Sequence, residues 1–120
     1  MKKKILIVED SLSIREEILN ILTLEGYLIF EAENGKMGLE IALKESLDLI
    51  ISDVLMPEMD GFEMFKRLKK NKKTKTIPVI FLSVKVEKED VKFKKRLGAS
   101  DYLTKPITVN ALMEAVKNNI

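Results

Sequence analysis

Five side chains that can do chemistry each follow a short apolar run in this sequence: Glu9, Asp10, Asp53, Ser83 and Lys105. Clustered carboxylates repel one another, by roughly 3 kcal/mol for two charges about 5 Å apart at an effective dielectric constant of about 20. Such a cluster keeps a proton on one carboxyl group or binds a cation, and oxygen ligands favour Mg²⁺. The cation lets an anionic phosphate approach a carboxylate, while a lysine and a hydroxyl can bind phosphoryl oxygens. Together these residue types are typical of phosphoryl transfer to an aspartate.

The composition excludes several other chemistries. The 120 residues contain no cysteine and no histidine, which rules out disulfides, thiolate chemistry, histidine-dependent triads and histidine-ligated zinc. Hydrophobic residues make up 46% of the chain and charged residues 33%, which is the balance of a folded globular protein. We find no signal peptide and no apolar run near the roughly 20 residues that span a bilayer. We therefore expect one cytoplasmic domain over residues 1–120, without membrane contact.

Short apolar runs alternate with amphipathic segments along the whole chain, which predicts strands alternating with helices. The predicted strands are Ile5–Val8, Leu28–Ala32, Leu49–Ser52, Ile77–Leu82 and Asp101–Leu103.

Five helices are predicted in the intervening and final segments. The first begins after Ser11 and ends near Gly26, the second covers Met37–Lys44, and the third runs from Asp60 through Leu68; the fourth covers Glu87–Leu97, and Thr108 caps the last. This alternation predicts an α/β fold, a doubly wound five-stranded parallel sheet with helices on both faces. Sites in such folds form at the carboxyl ends of the strands, so the five side chains named at the outset should share one edge.

Four segments in order resemble bacterial two-component response-regulator receiver domains, particularly those like chemotaxis regulators. The matching segments are Ile7–Ser11, Asp53–Gly61, Phe81–Ser83 and Gly98–Pro106. Each follows or ends a predicted strand, and the resemblance extends over essentially the whole chain. It implies a flavodoxin-like fold with strand order 2-1-3-4-5.

The resemblance assigns the metal and phosphoryl sites residue by residue. Asp53 is expected to accept the phosphoryl group, and Asp10 to bind Mg²⁺ directly. Glu9 is expected to act through a metal-bound water, and the backbone carbonyl of Leu55 to complete the protein ligands, with Asp53 itself also in the metal site.

Three further residues are expected to read the phosphorylated state. Ser83 resembles the switch hydroxyl, and Lys105 the cation that pairs with phosphate, or with Asp53 before phosphorylation. The bond from Lys105 to Pro106 is expected to be cis. Tyr102 resembles the aromatic switch on the face formed by the penultimate helix, the fifth strand and the last helix.

The partners implied by the resemblance are a sensor histidine kinase or phosphotransfer protein, and a downstream protein or an output domain outside this sequence. The chain is expected to be a monomer or a phosphorylation-dependent dimer and to be a signalling module rather than a metabolic enzyme. The formal charge of +2 gives no argument for nucleic acid, and the basic run over residues 66–75 lacks interleaved aromatic residues. We therefore expect no direct nucleic-acid contact.

Three alternatives remain open to test. A haloacid-dehalogenase-like phosphatase needs a second aspartate two residues after the nucleophile, where this chain has Leu55. A flavodoxin-like FMN binder needs a neutral phosphate loop after the first strand, where this chain has Glu9 and Asp10. A receiver that only binds partners would lack acceptor-site residues, all of which are present in this chain.

One departure from the family is Val84, where alanine or glycine is usual. We expect it to slow phosphoryl transfer or hydrolysis.

Overall fold

The computed structural model describes residues 2–83 and 98–120 of the chain. Five strands are present: β1 (Lys4–Val8), β2 (Leu28–Ala32), β3 (Leu49–Asp53), β4 (Val79–Ser83) and β5 (Asp101–Thr104). The helices within these residues are α1 (Leu12–Leu24), α2 (Gly35–Lys44), α3 (Gly61–Lys70) and α4 (Val109–Asn119). The helix predicted over Glu87–Leu97 lies outside the described residues, as does Val84.

All strand pairs are parallel, in the order β2-β1-β3-β4-β5, so the predicted topology is confirmed. Continuous β-branched and aliphatic runs form the three central strands because such strands are covered on both faces. We use "sheet interior" for the apolar residues of these strands, which are almost fully buried: Ile5–Val8, Leu49–Ile51 and Val79–Leu82.

Alternate residues of each central strand face opposite layers of helices. Ile7 and Ile51 pack with α1 and α4, whereas Val8 and Phe81 pack with α2 and α3. Because successive side chains of a strand point to opposite faces, one apolar run supplies both cores. Burial of each large aliphatic side chain contributes about 1.5–3 kcal/mol. Among the described residues, every helix falls short of the length and apolar character that crossing a membrane requires.

Polar side chains set where the helices begin. Asn34 Oδ1 accepts the Met37 amide at 2.8 Å, and Thr108 Oγ1 accepts the Ala111 amide at 3.1 Å. Asn34 therefore caps α2 and is not only a turn residue, so the helix starts two residues before the predicted Met37. Ser11 stands at the N-cap of α1 as expected, but its side chain makes no capping hydrogen bond there.

Candidate functional site

Three carboxylates meet where β1 and β3 end. The two strands are neighbours, with Val8 opposite Ser52, and Asp53 is the last residue of β3. Glu9, Asp10 and Asp53 each offer one oxygen, and these oxygens all lie within 4.8 Å of one another. We call these three residues the acidic cluster. The structure thus brings together the carboxylates that the sequence analysis placed at one edge.

Glu9 is the buried member of the acidic cluster, with 0% of its surface exposed. Its amide donates to the Ala32 carbonyl at 3.0 Å, and its Oε1 accepts from Lys105 Nζ at 2.6 Å. Burial raises the pKa of Glu9 to about 7; the Lys105 hydrogen bond lowers it, and interactions with Asp53 and Asp10 raise it further. This carboxyl group therefore gains and loses a proton near neutral pH in the metal-free protein.

Asp53 is held on both carboxylate oxygens. Oδ1 accepts the Val54 amide at 2.8 Å, and Oδ2 accepts from Lys105 Nζ at 3.2 Å. Its backbone packs against Gly61, where an added Cβ would lie 2.2 Å from the Asp53 carbonyl oxygen. The close approach of the loop therefore requires glycine at position 61, and the carboxylate orientation is fixed before any ligand arrives.

Lys105 joins β5 to the acidic cluster. Its amide donates to the Ser83 carbonyl at 2.7 Å, and the bond to Pro106 is cis, as expected. Burial lowers the pKa of Lys105, but its hydrogen bonds and charge interactions with Glu9 and Asp53 outweigh burial, and the net pKa is raised. The shorter contact is with Glu9 rather than Asp53, and nothing in the sequence distinguishes the two carboxylates.

The remaining predicted residues surround this centre. Ser83 is the half-buried last residue of β4, opposite Thr104 in register. Tyr102 in β5 is half-buried and stacks on Phe81 with ring centroids 5.9 Å apart. Burial raises the pKa of Tyr102 to about 12, so its hydroxyl stays neutral. Leu55, in the loop after β3, has a largely exposed side chain.

The donor set of the acidic cluster fits a hard divalent cation. It offers carboxylate oxygens from the ends of two adjacent strands, and the exposed Asp10 leaves the cluster open to solvent. When all its carboxyl groups are ionised, the acidic cluster and Lys105 together carry a formal charge of −2, which a divalent ion would neutralise. Oxygen ligands with room for retained water are what Mg²⁺ prefers. The cluster could therefore hold Mg²⁺.

Arg15 is a residue that the sequence analysis missed. Its Nη1 donates to the Glu9 carbonyl at 2.7 Å, directly behind the acidic cluster. Its position could have drawn attention to it, because the helix dipole disfavours a cation in the first turn of α1, and that turn contains no acidic residue.

Comparison with known proteins agrees with this geometry. The family model described as "Response regulator receiver domain" matches residues 5–117. Protein PilH of Pseudomonas aeruginosa is 36% identical over 94% of this chain and 93% of its own. Sporulation initiation phosphotransferase F of Bacillus subtilis is 38% identical over 98% of this chain and 93% of its own.

A solved structure shares the fold over its full length. Chemotaxis protein CheY4 of Vibrio cholerae superposes with a TM-score of 0.94 at 33% identity, covering 100% of both chains. Other curated relatives are longer, and this chain spans 54% of one and 21% of another. The chain belongs to the response-regulator receiver-domain family of two-component systems.

Proposed function

We propose that this receiver domain is a phosphorylation-dependent switch in which Asp53 accepts the phosphoryl group. The observation that carries the proposal is the position of the Asp53 carboxylate, 3.2 Å from Lys105 Nζ and within the acidic cluster. A carboxylate so placed is an oriented nucleophile beside positive charge. A carboxyl group remote from any cation would lack that advantage.

The proposed donor is phosphohistidine on a sensor kinase or phosphotransfer protein, or a small acyl phosphate. A carboxylate oxygen of Asp53 attacks phosphorus, the bond from phosphorus to the donor nitrogen or oxygen breaks, and its electron pair leaves with the donor. The product is an acyl phosphate on Asp53. Water later attacks phosphorus and releases inorganic phosphate, which restores the carboxylate.

The protein groups around Asp53 have separate roles in this proposal. Val54 N–H keeps one carboxylate oxygen oriented, and Lys105 exchanges its contact with Asp53 for a phosphoryl oxygen. Ser83 donates its hydroxyl to the phosphoryl group. A bound Mg²⁺, held by Asp10, Asp53 and the Leu55 carbonyl with Glu9 acting through water, would supply positive charge that offsets repulsion between phosphate and carboxylates.

The new phosphoryl charge changes the balance between two states of the β5 and α4 face. Tyr102 lies on β5 and stacks on Phe81 of β4, two residues before Ser83. A movement of Ser83 toward the phosphoryl group therefore reaches Tyr102 through the β4–β5 pair. That face passes the signal to a downstream protein or output domain. The domain speeds its own phosphorylation and dephosphorylation but turns over no metabolite.

Incubation with acetyl phosphate and Mg²⁺, followed by intact-mass spectrometry, tests the proposal. We expect the wild type to gain one phosphoryl mass and to lose the gain when EDTA is present from the start. Asp53→Asn should gain none. Asp48→Asn is the matched control, because Asp48 lies at the opposite end of the sheet and its Oδ2 accepts the Lys4 amide. A phosphoryl mass on Asp53→Asn would overturn the assignment.

A further inference from the structure

Arg15 connects three elements next to the acidic cluster. It lies in the first turn of α1, and its Nη1 donates to the Glu9 carbonyl at 2.7 Å. Its Nε donates to Glu31 Oε1 of β2 at 3.1 Å. One side chain therefore joins α1 and β2 to the residue that follows β1.

Arg15 and Glu9 are largely shielded from water, so their polar groups need partners within the protein. The Arg15 side chain is only 11% exposed, so Glu31 and the Glu9 carbonyl must stabilise its positive charge in place of water. Glu9 is fully buried, so its carbonyl oxygen needs a donor from within the protein. The guanidinium fork meets both needs at once, which a single ammonium group cannot do in the same geometry.

The other polar groups of Glu9 already have partners. Its amide donates to Ala32, its Oε1 accepts from Lys105, and its Oε2 accepts the Ser11 amide at 3.4 Å. Arg15 takes the remaining backbone group, the carbonyl that links Glu9 to Asp10. The direction of that peptide determines where the Asp10 side chain points.

We propose that Arg15 is a positioning residue that fixes the turn over residues 9–11, so that the carboxylates of Glu9 and Asp10 face Asp53 and are ready for a divalent cation. This inference rests on the proposed Mg²⁺-dependent function and deepens it. It explains a cation in the first turn of α1, where the helix dipole opposes positive charge. The groups that orient metal ligands commonly change affinity roughly 10- to 100-fold when removed.

The chain offers a matched control in a second arginine–glutamate pair. Arg67 Nε contacts Glu63 Oε1 at 3.2 Å within α3, but both side chains are about half exposed, at 54% and 47%. This pair has the same residue types and nearly the same distance as Arg15 and Glu31. Both residues lie in α3 and neither belongs to the acidic cluster, so Arg67→Met controls for the loss of one arginine.

Calorimetric titration with Mg²⁺ at constant pH tests the inference. We expect Arg15→Met to weaken Mg²⁺ binding by roughly 10-fold or more. Arg15→Lys, which keeps a charge and one of the two contacts, should fall between Arg15→Met and the wild type, and Arg67→Met should match the wild type. Phosphoryl uptake by Arg15→Met should need more Mg²⁺ yet reach the wild-type rate at saturation. Without Mg²⁺, amide hydrogen exchange over residues 9–11 should be faster in Arg15→Met.

The outcomes separate this inference from the proposed function. Arg15→Met with wild-type Mg²⁺ affinity and wild-type amide exchange would overturn the inference, as would an equal weakening in Arg67→Met. If Arg15→Met does not fold, Arg15→Lys decides, and wild-type affinity in that variant overturns the inference. A wild-type chain that binds no Mg²⁺ overturns it as well. Phosphoryl uptake by Asp53→Asn would overturn the proposed function alone.

Discussion

The sheet interior and the acidic cluster are adjacent and both largely buried, but burial acts on them in opposite ways. Ile51 in the interior is fully buried and gains free energy by leaving water. Two residues further along β3, Asp53 is 8% exposed and its carboxylate has exchanged water for Val54 and Lys105. Glu9, next to Val8, is fully buried and keeps a raised pKa.

This difference shows how one strand can serve stability and function. Burial of the interior residues stabilises the fold. That stability offsets the repulsion between the buried carboxylates just beyond the strand ends. Changes in the interior should therefore reduce stability without altering the cluster's ligands. Changes in the cluster should alter ligand binding and charge with a smaller effect on stability.

The largest stability effect is expected from Ile51→Ala. It removes a fully buried side chain from the middle of β3 and should lower the free energy of unfolding by about 2–5 kcal/mol. Urea unfolding measures that loss, and Mg²⁺ titration of the folded variant should give the wild-type dissociation constant. A tenfold loss of Mg²⁺ affinity together with a small loss of stability would contradict the division between the two regions.

Gly61→Ala should affect both regions, because Gly61 lies where they meet. The added Cβ would be 2.2 Å from the Asp53 carbonyl oxygen, so the backbone of β3 or α3 must shift. We expect a loss of about 3 kcal/mol in urea unfolding, and slower phosphoryl uptake from acetyl phosphate.

Gly26→Ala is the control for that variant. Gly26 has φ +92° and no neighbouring atom within 4 Å of an added Cβ, so only backbone strain should result. The cost should be about 1–2 kcal/mol, with phosphoryl uptake unchanged. Equal uptake rates in Gly61→Ala and Gly26→Ala would show that the contact between Gly61 and Asp53 does not position the acceptor.

The stability of the metal-free protein should also depend on pH. The pKa of Glu9 rises from its ordinary 4.5 to about 7 on folding, so between these values the folded chain holds a proton that the unfolded chain has lost. The free energy of unfolding of the metal-free protein should therefore fall as pH rises through this window, by on the order of 2–3 kcal/mol. The raised pKa of Lys105 acts only near and above its ordinary 10.5, outside this window.

Urea unfolding at several pH values in EDTA measures this dependence, and Glu9→Gln should flatten it. Asp48→Asn, at the far end of the sheet, should keep the wild-type slope. A wild-type stability that rises between pH 4.5 and 7 would contradict the direction of the Glu9 pKa shift.

The strands of the sheet interior could be predicted from the sequence because each is marked by a run of neighbouring apolar residues. Continuous apolar runs marked the central strands, and glycine, proline and capping residues marked most boundaries. Several boundaries differed from the prediction by one or two residues. The start of β4 is an example: the strand begins at Val79, not Ile77, and Pro78 lacks an amide for the ladder. Its carbonyl still accepts the Ile50 amide at 3.0 Å.

Only part of the geometry of the acidic cluster could be predicted from the sequence. Topology places the strand ends at one edge, so the meeting of Glu9, Asp10 and Asp53 could be predicted. The closer contact of Lys105 with Glu9, and the contact of Arg15 with the Glu9 carbonyl, depend on side-chain directions in three dimensions. Neither follows from a periodic pattern or a motif.

Crystals grown with Mn²⁺, a substitute for Mg²⁺ that also favours carboxylate, carbonyl and water oxygens, would show where a divalent cation binds. We expect one strong peak of anomalous scattering within about 2.0–2.4 Å of carboxylate oxygens of Asp10 and Asp53. The peak should disappear in Asp10→Asn crystals. A peak elsewhere on the molecule, or none among the three carboxylates at millimolar Mn²⁺, would contradict the claim that this edge of the sheet exists to hold a divalent cation beside Asp53.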